Sequence, residues 1–511
     1  MREIIVLFIL FTNLILAAQI SPKEEFRGVW IASVANIDYP QAPTADAALL
    51  KEEWIFLLDE LQQLNINAVI VQVRPAGDAL YPSAFAPWSA YLTGQQGLAP
   101  QPYFDPLEFM IESAHARNME FHAWLNPYRA TMNMQTQNLH PTHGLLQNPT
   151  WHLAYGGKYY LDPGLPEVQQ HITDIVAEVT ENYDIDAVHF DDYFYPYKSG
   201  NEVFPDYLTY QKYGAHFSDR AAFRVHSVNR LIDKVSAKIK EIKPHVRFGI
   251  SPFGVWRNAK DDLRGSDSRA GVRAYDDLHA HIVKWLREGK IDYIAPQLYW
   301  SIGYAAADYK ILLDWWTDWH FGRNLYAGHA VYKIDNNADP AWADATEIPR
   351  QVLLNRASPE TEGSIHFSAS KMRLNPLNIL QSLGILYERY AKIPESIWLE
   401  VPPAVAPEFS EPSLGTVGIT LNWKKYKGVT VEPYYYIIYR FPGEKVGDLN
   451  DARNILHITA FGENVSSFTD EDAEFKQKYT YVVTAVNRAH SESGFARPTT
   501  VMRKKRKVKV F

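Results

Sequence analysis

One alternation, repeated eight times between Phe26 and about Lys392, limits what this chain can fold into: a short apolar run, then a longer amphipathic one. The short runs are Phe26–Ser33, Ala68–Arg74, Glu120–Asn126, Ala187–Asp192, Arg247–Ser251, Tyr293–Tyr299, Leu325–Tyr332 and Ser364–Ser370. Apolar residues recur near helical spacing in the longer ones: Leu49–Leu64, Pro106–Arg117, Val168–Asn182, Ala221–Ile242, Asp276–Glu288, Tyr309–Trp319, Ile348–Asn355 and Pro376–Tyr390. Eight strand–helix units in series predict a closed (β/α)8 barrel of the TIM type. A doubly wound open sheet is the alternative. The count of eight and the overall length favour the barrel.

The fourth run leads into Asp191-Asp192-Tyr193-Phe194-Tyr195-Pro196, two carboxylates wrapped in aromatic rings. Residues at the C-terminal ends of barrel strands are where an active site is sought. Side chains alternate along a strand, and the set facing the helices should be apolar. Val188 and Phe190 are apolar, so His189 and Asp191 are expected to point into the barrel, with Asp192 on the other parity at the rim. The same test turns Gln72 and Arg74 inward from the second strand, Asn126 from the third and Ser251 from the fifth. It also turns Gln297 and Tyr299 inward from the sixth strand, and His366 and Ser368 from the eighth. Buried polar groups are costly unless used or fully paired, so this convergence marks either a functional site or a supporting hydrogen-bonded network. The loops beyond the strand ends add Asp78, Tyr81, Trp88, Tyr128, Arg129, Tyr193, Trp256, Arg257, Trp300, Tyr332, Lys333 and Asp335. Long insertions follow the third strand (Pro127 to about Glu167) and the fourth (Tyr193 to about Asp219), on the same face.

With 511 residues the chain exceeds one ordinary domain. Near Pro402-Pro403 the pattern changes to short alternating strands: Gly418–Trp423, Tyr434–Arg440 and Tyr479–Val486. With Leu421-Asn422-Trp423, Tyr436-Ile437-Ile438-Tyr439-Arg440 and Tyr479 through Asn487, this region resembles a fibronectin type III domain. The resemblance implies a sandwich with Trp423 in its core and Tyr479 at a tyrosine corner. The expected organisation is a signal peptide over 1–18, the barrel over 25–392, a linker over 393–403, the sandwich over 404–500 and a basic, solvated tail over 501–511. That tail could also touch an anionic envelope polymer. The signal rests on Arg2, the apolar run from Ile4 to Leu16, and Ala17-Ala18 as a small-residue cleavage site. It implies export, to the periplasm or surface of a bacterium. The absence of cysteine excludes disulfides and thiolate metal sites. A net charge of −8 argues against a nucleic-acid partner. Aromatic residues make up 14% of the chain, an excess that suits a carbohydrate cleft as well as a core.

Five segments together resemble the glycosyl hydrolase-like family 10: Phe26-Arg27-Gly28-Val29-Trp30, Gln72-Val73-Arg74-Pro75, Asn126-Pro127-Tyr128-Arg129, His189 through Pro196, and Ala295-Pro296-Gln297-Leu298-Tyr299-Trp300. The likeness runs from about Glu25 to Lys392. It implies a barrel that hydrolyses glycan strands of bacterial envelopes, with peptidoglycan glycan as the expected substrate and no cofactor.

Ordinary glycosidases flank the scissile bond with two carboxylates, about 5–5.5 Å apart for retention and about 6.5–9.5 Å for inversion. Asp191 and Asp192, neighbours of opposite parity, are poorly placed to face each other. No acid ends the third, fifth, sixth or eighth strand, so a partner must come from Asp38, Asp78 or Asp335, or from the substrate. A 2-acetamido group can attack its own anomeric carbon, leaving the protein to supply one acid and a clamp. On this reading Asp191 or Asp192 donates the proton, and the other orients the acetamide or shifts its neighbour's pKa. Tyr299 binds the acetamide oxygen. Gln72, Arg74, Asp78, Asn126, Tyr128, Arg129, His189, Tyr193, Gln297 and Trp300 line the substrate. His279-Ala280-His281 is read as surface on a helix, and His189 with the two aspartates as too few ligands to name a metal. The competing readings are a non-catalytic glycan-binding barrel and a surface protein whose sandwich is the working part.

Overall fold

The computed structural model describes residues 21–511 except 416, 425–432, 464 and 506; the signal peptide expected over 1–18 lies outside them. Eight parallel strands close into a barrel: β1 (Phe26–Ile31), β2 (Ala68–Arg74), β3 (Glu120–Leu125), β4 (Ala187–Phe190), β5 (Arg247–Ile250), β6 (Tyr293–Ile294), β7 (Asn324–Ala330) and β8 (Gly363–Phe367). They follow one another around the ring in sequence order, and β8 pairs β1. Val69, Val71, Phe121, Ala123, Val188 and Phe248 face outward onto Trp54, Met110, Val176 and Leu231 of the surrounding helices. Phe26, Trp30, Ile70, Trp124, Tyr293, Tyr326 and Ile365 fill the barrel. Gly249 makes room for this filling, because a Cβ there would lie 1.8 Å from the Tyr293 ring.

The interior is polar along its axis. His189 Nε2 lies 3.3 Å from Trp30 Nε1 and 2.8 Å from Ser251 Oγ. The Tyr293 hydroxyl bridges His189 Nδ1 and His122 Nδ1, each at 2.8 Å. His122 Nε2 then reaches Glu120 Oε2 at 3.0 Å. Arg247 pairs with the same carboxylate.

Beyond the barrel, two antiparallel sheets pack face to face. One joins Glu408–Phe409, Ser413–Leu414, Ile419–Lys424 and Ser467–Asp470; the other orders Ile455–Ile458, Tyr435–Pro442, Lys478–Val486, Thr499–Lys504 and Lys507–Val510. Their core holds Leu421, Trp423, Tyr436, Ile438, Tyr481 and Val483, with Trp423 2% exposed. Tyr481, rather than Tyr479, hydrogen-bonds across to Asp470. The larger sheet's other face closes the N-terminal mouth of the barrel. His490 Nε2 donates to Glu120 Oε1 at 2.6 Å, and the Tyr434 hydroxyl to Asp186 Oδ1 at 2.6 Å. Burial raises Glu120, but Arg247 and His490 outweigh it and hold its carboxyl well below the usual range. No helix among the described residues is long and apolar enough to cross a membrane.

Four expectations change. The basic segment is not a free tail: Thr499–Lys504 and Lys507–Val510 pair as a hairpin on the larger sheet. The helix expected over Asp276–Glu288 forms only over Ile282–Arg287, because His279 takes a left-handed φ of 57°. His279 is 6% exposed and packs edge-on against Tyr195, so it is not surface. In β8 the parity is reversed: His366 faces the helices, stacked on His329 and 3.0 Å from the Tyr387 hydroxyl, while Ile365 and Phe367 face inward. The test failed there because the helix-facing layer is itself polar, with Gln351 and Asn355 partnering His329 and Ser364. Ser368 lies beyond the strand and donates to Asp38 Oδ1 at 2.7 Å.

Candidate active site

Strand β4 ends at Phe190, so Asp191 and Asp192 are the first residues past its C-terminal end. Both are buried, 3% and 4% exposed. Asp191 continues the inward parity. Its Oδ2 accepts Trp124 Nε1 at 3.3 Å and Asn126 Nδ2 at 3.0 Å, and its Oδ1 accepts the Tyr193 backbone N–H at 3.3 Å. Asn126 is aimed by its other end: its Oδ1 accepts the Arg129 N–H at 3.1 Å, which turns Nδ2 to the carboxylate. Asp192 Oδ2 accepts the Tyr197 hydroxyl, and Gln297, whose Nε2 donates to Ser251 O at 2.9 Å, helps to hold the same carboxyl down.

Burial pushes both carboxyls above the ordinary aspartate range, and the charge of Asp192 pushes Asp191 further. Arg129 opposes this at both. Two carboxylates side by side in a dry site ionise as a unit, so the pair keeps one proton to a higher pH than a lone aspartate does. Arg129 is itself fixed, donating through Nε and Nη2 to Pro75 O at 3.1 and 3.0 Å and lying 5.3 Å over the Tyr193 ring.

Aromatic rings wall the pair. Tyr193, Tyr197, Phe253 and Trp300 form a chain of edge-to-face contacts at 5.7, 6.3 and 5.4 Å. A second group joins Tyr299 with Tyr332 at 5.9 Å and Phe367 at 6.2 Å. Tyr299 is held by its backbone, whose carbonyl accepts Lys333 Nζ at 2.6 Å. Burial, with Tyr332, Asp192 and Tyr193 nearby, raises its phenol well above the usual value, so it stays a donor. Rings that keep some exposure beside carboxyls suit the apolar faces of sugars.

The structure therefore gathers Asp191, Asp192, Asn126, Arg129, Tyr193, Gln297, Tyr299 and Trp300. Other expected site residues lie elsewhere. His189 is fully buried beneath the carboxyls in the axial network, and burial holds it neutral. A bulge between Gln72 and Arg74 turns Arg74 off the axis. Its Nη1 donates to Asn126 O at 3.1 Å, and burial lowers its pKa against the pull of Tyr81 and Asp78. Asp78 accepts the Ala76 N–H, and Tyr128 joins the helix-side core. Gln72 accepts the Val34 N–H through Oε1 at 2.9 Å. Asp38 spends both oxygens on its own chain, accepting from Ala32 N, Ser368 and Ser370 N. Among the described residues no group of three or more His, Asp or Glu converges as metal ligands would.

The sequence reading missed Trp124, Tyr197 and Phe253. Trp124 shares the parity of Asn126, a signal that was available. Tyr193, Tyr195 and Tyr197 alternate, and Tyr195 is 2% exposed, so Tyr193 and Tyr197 share the open side.

The family model described as Glycosyl hydrolase-like 10 matches residues 25–344. The chain is 46% identical over 490 residues to "Glycosyl hydrolase YngK" of Bacillus subtilis, covering 94% of each protein. It is 41% identical over 391 residues to "Glycosyl hydrolase DigH" of Escherichia coli, covering 72% of this chain and 88% of that one. Among solved structures it resembles the PgaB (BpsB) glycoside hydrolase domain of Bordetella bronchiseptica, with 13% identity, a TM-score of 0.44, and 71% of this chain and 99% of that one covered.

Proposed function

Because the chain belongs to the glycosyl hydrolase-like 10 family, we propose that it cleaves glycosidic bonds beside N-acetylhexosamine units, with peptidoglycan glycan strands as the substrate. The observation that carries this is the unequal environment of the adjacent aspartates. Asp191 receives three donors on its two oxygens, as an anion fixed in place would. Asp192 receives one donor, the Tyr197 phenol, on one oxygen at the rim, which leaves its other oxygen to carry and deliver a proton.

In this reading the acetamide oxygen of the bound sugar attacks its own C1. The C1–oxygen bond to the leaving sugar breaks, and that oxygen takes the proton of Asp192. Asp191 accepts the acetamide N–H, stabilising the positive charge that develops on the forming oxazoline ring. The Tyr299 hydroxyl donates to the acetamide oxygen and aims it. Water then gives a proton to Asp192 and adds to C1, reopening the ring with the original configuration. No second carboxylate is needed across the bond. Arg2 and the apolar run from Ile4 to Leu16 support export to the envelope, where such glycans lie.

The test is product analysis on peptide-free peptidoglycan and chitin oligomers, each before and after removal of N-acetyl groups. Only the N-acetylated glycans should be cleaved. Asp191→Asn and Asp192→Asn should each lower turnover by about 10²- to 10⁴-fold with the thermal melt retained. Equal cleavage of de-acetylated glycan, or full activity in both variants, overturns the reading.

A further inference from the structure

The reaction above assigns no part to Tyr197, yet its phenol is the hydroxyl that meets the Asp192 carboxyl. The ring is held on two sides, by Tyr193 at 5.7 Å and Phe253 at 6.3 Å, both edge-to-face. Tyr193 is in turn pinned under the Arg129 guanidinium at 5.3 Å. The phenol therefore approaches Asp192 from a fixed direction and engages Oδ2. The ring keeps partial exposure, so it borders the cleft rather than the core.

We propose that Tyr197 is a positioning residue for the acid: it occupies Oδ2 of Asp192, leaves Oδ1 to carry the proton toward the glycosidic oxygen, and stabilises the carboxylate that forms as the proton leaves. The inference rests on the assignment of Asp192 as the donor. Its physical basis is that a hydrogen bond to a carboxylate is about twice as strong as one to a neutral carboxyl group. Tyr197 therefore stabilises the state after proton transfer more than the state before it, which lowers the barrier. The phenol itself loses no proton. Burial and the charge of Asp192 raise its pKa far above the usual value.

Tyr197→Phe removes the hydroxyl and keeps the ring contacts. The expected result is a kcat lowered about 10- to 100-fold with KM nearly unchanged. Asp192 loses a donor to its charged form, so its pKa rises and the alkaline limb of the kcat profile moves to higher pH. A group that only packs would not move that limb. Site-specific 3-fluorotyrosine at position 197, with a more acidic phenol and the same shape, should move it to lower pH, which covers the case that Tyr197→Phe folds poorly. Unmoved limbs in both variants overturn the inference. Asp192→Asn separates the two failures: wild-type turnover there overturns the donor assignment as well, while an inactive Asp192→Asn with unmoved limbs overturns the role of Tyr197 alone.

Discussion

His490 lies in the turn after the strand Lys478–Val486 of the larger sheet, yet its side chain reaches Glu120 at the barrel mouth, and replacing it should unfold the barrel earlier. The residue is fully buried and has a left-handed φ of 60°, which asparagine tolerates well, so His490→Asn changes the side chain without straining the backbone. Two bonds are lost. Nε2–H donates to the ionised Glu120 at 2.6 Å, and the Tyr435 hydroxyl donates to Nδ1 at 3.0 Å. A bond to a charged group contributes about 1.5–3 kcal/mol, and a buried donor left unpaired costs about 1–3 kcal/mol. Together they amount to a loss of about 2.5–6 kcal/mol, which brackets the cost of about 3–5 kcal/mol for breaking a buried pair. The assay is equilibrium denaturation followed by tryptophan emission. Twelve of the 14 tryptophans precede Lys392, so that signal reports the barrel. If the sheets brace the barrel through Glu120, its transition shifts to lower denaturant. A shift worth under about 1 kcal/mol, or a barrel transition that stays in place while the sheets melt, refutes the reasoning.

Two further outcomes are expected. Burial, with Glu24 nearby, pushes Glu362 up to about 7 from an ordinary 4.5. Between those values the folded chain keeps a proton that the unfolded chain has released, so stability falls as pH rises through the window. The penalty, at most about 3 kcal/mol, stands in full above it. Glu362→Gln should therefore stabilise the protein at pH 8 and not at pH 4; an equal effect at both would count against this account. Tyr299→Phe should lower kcat about 10²-fold on N-acetylated glycan, the usual effect of losing one aimed donor, with an unchanged melt. Wild-type turnover would remove Tyr299 from the acetamide.

The barrel was legible because strand and helix periods alternate without a break, and a closed ring of parallel strands needs little else. Parity placed Asp191 and Asn126 correctly, since β3 and β4 carry clean apolar residues on their helix side: Phe121, Ala123, Val188 and Phe190. It failed where the assumption behind it fails. Helix-side polar partners reversed His366, and a one-residue bulge deflected Arg74. Neither leaves a local mark, because both depend on what packs opposite. The loop tyrosines were harder still. Tyr197 is one of 31 tyrosines, and only its spacing from Tyr193 and Tyr195 singles it out. The hairpin at Thr499–Val510 hid behind its charge: a lysine-rich run reads as solvated, yet Val501 and Val508 alternate inward within it.

The polar axis of the barrel has a direction. At its upper end the Trp30 indole can only give a hydrogen, and at its lower end Glu120 can only receive them. His189 must therefore carry its hydrogen on Nδ1 and His122 on Nε2, with the Tyr293 hydroxyl pointing the same way between them. From the sheet side His490 keeps its hydrogen on Nε2, where Glu120 accepts it, and turns Nδ1 to the Tyr435 hydroxyl. A further proton on His189 Nε2 would set donor against donor at the Trp30 indole, and burial holds all three rings below the ordinary histidine value. Along this axis the hydrogens keep one arrangement, set by the indole at one end and the carboxylate at the other. The aspartate pair and Glu362, carboxyls that are pushed up toward neutrality, all lie off it.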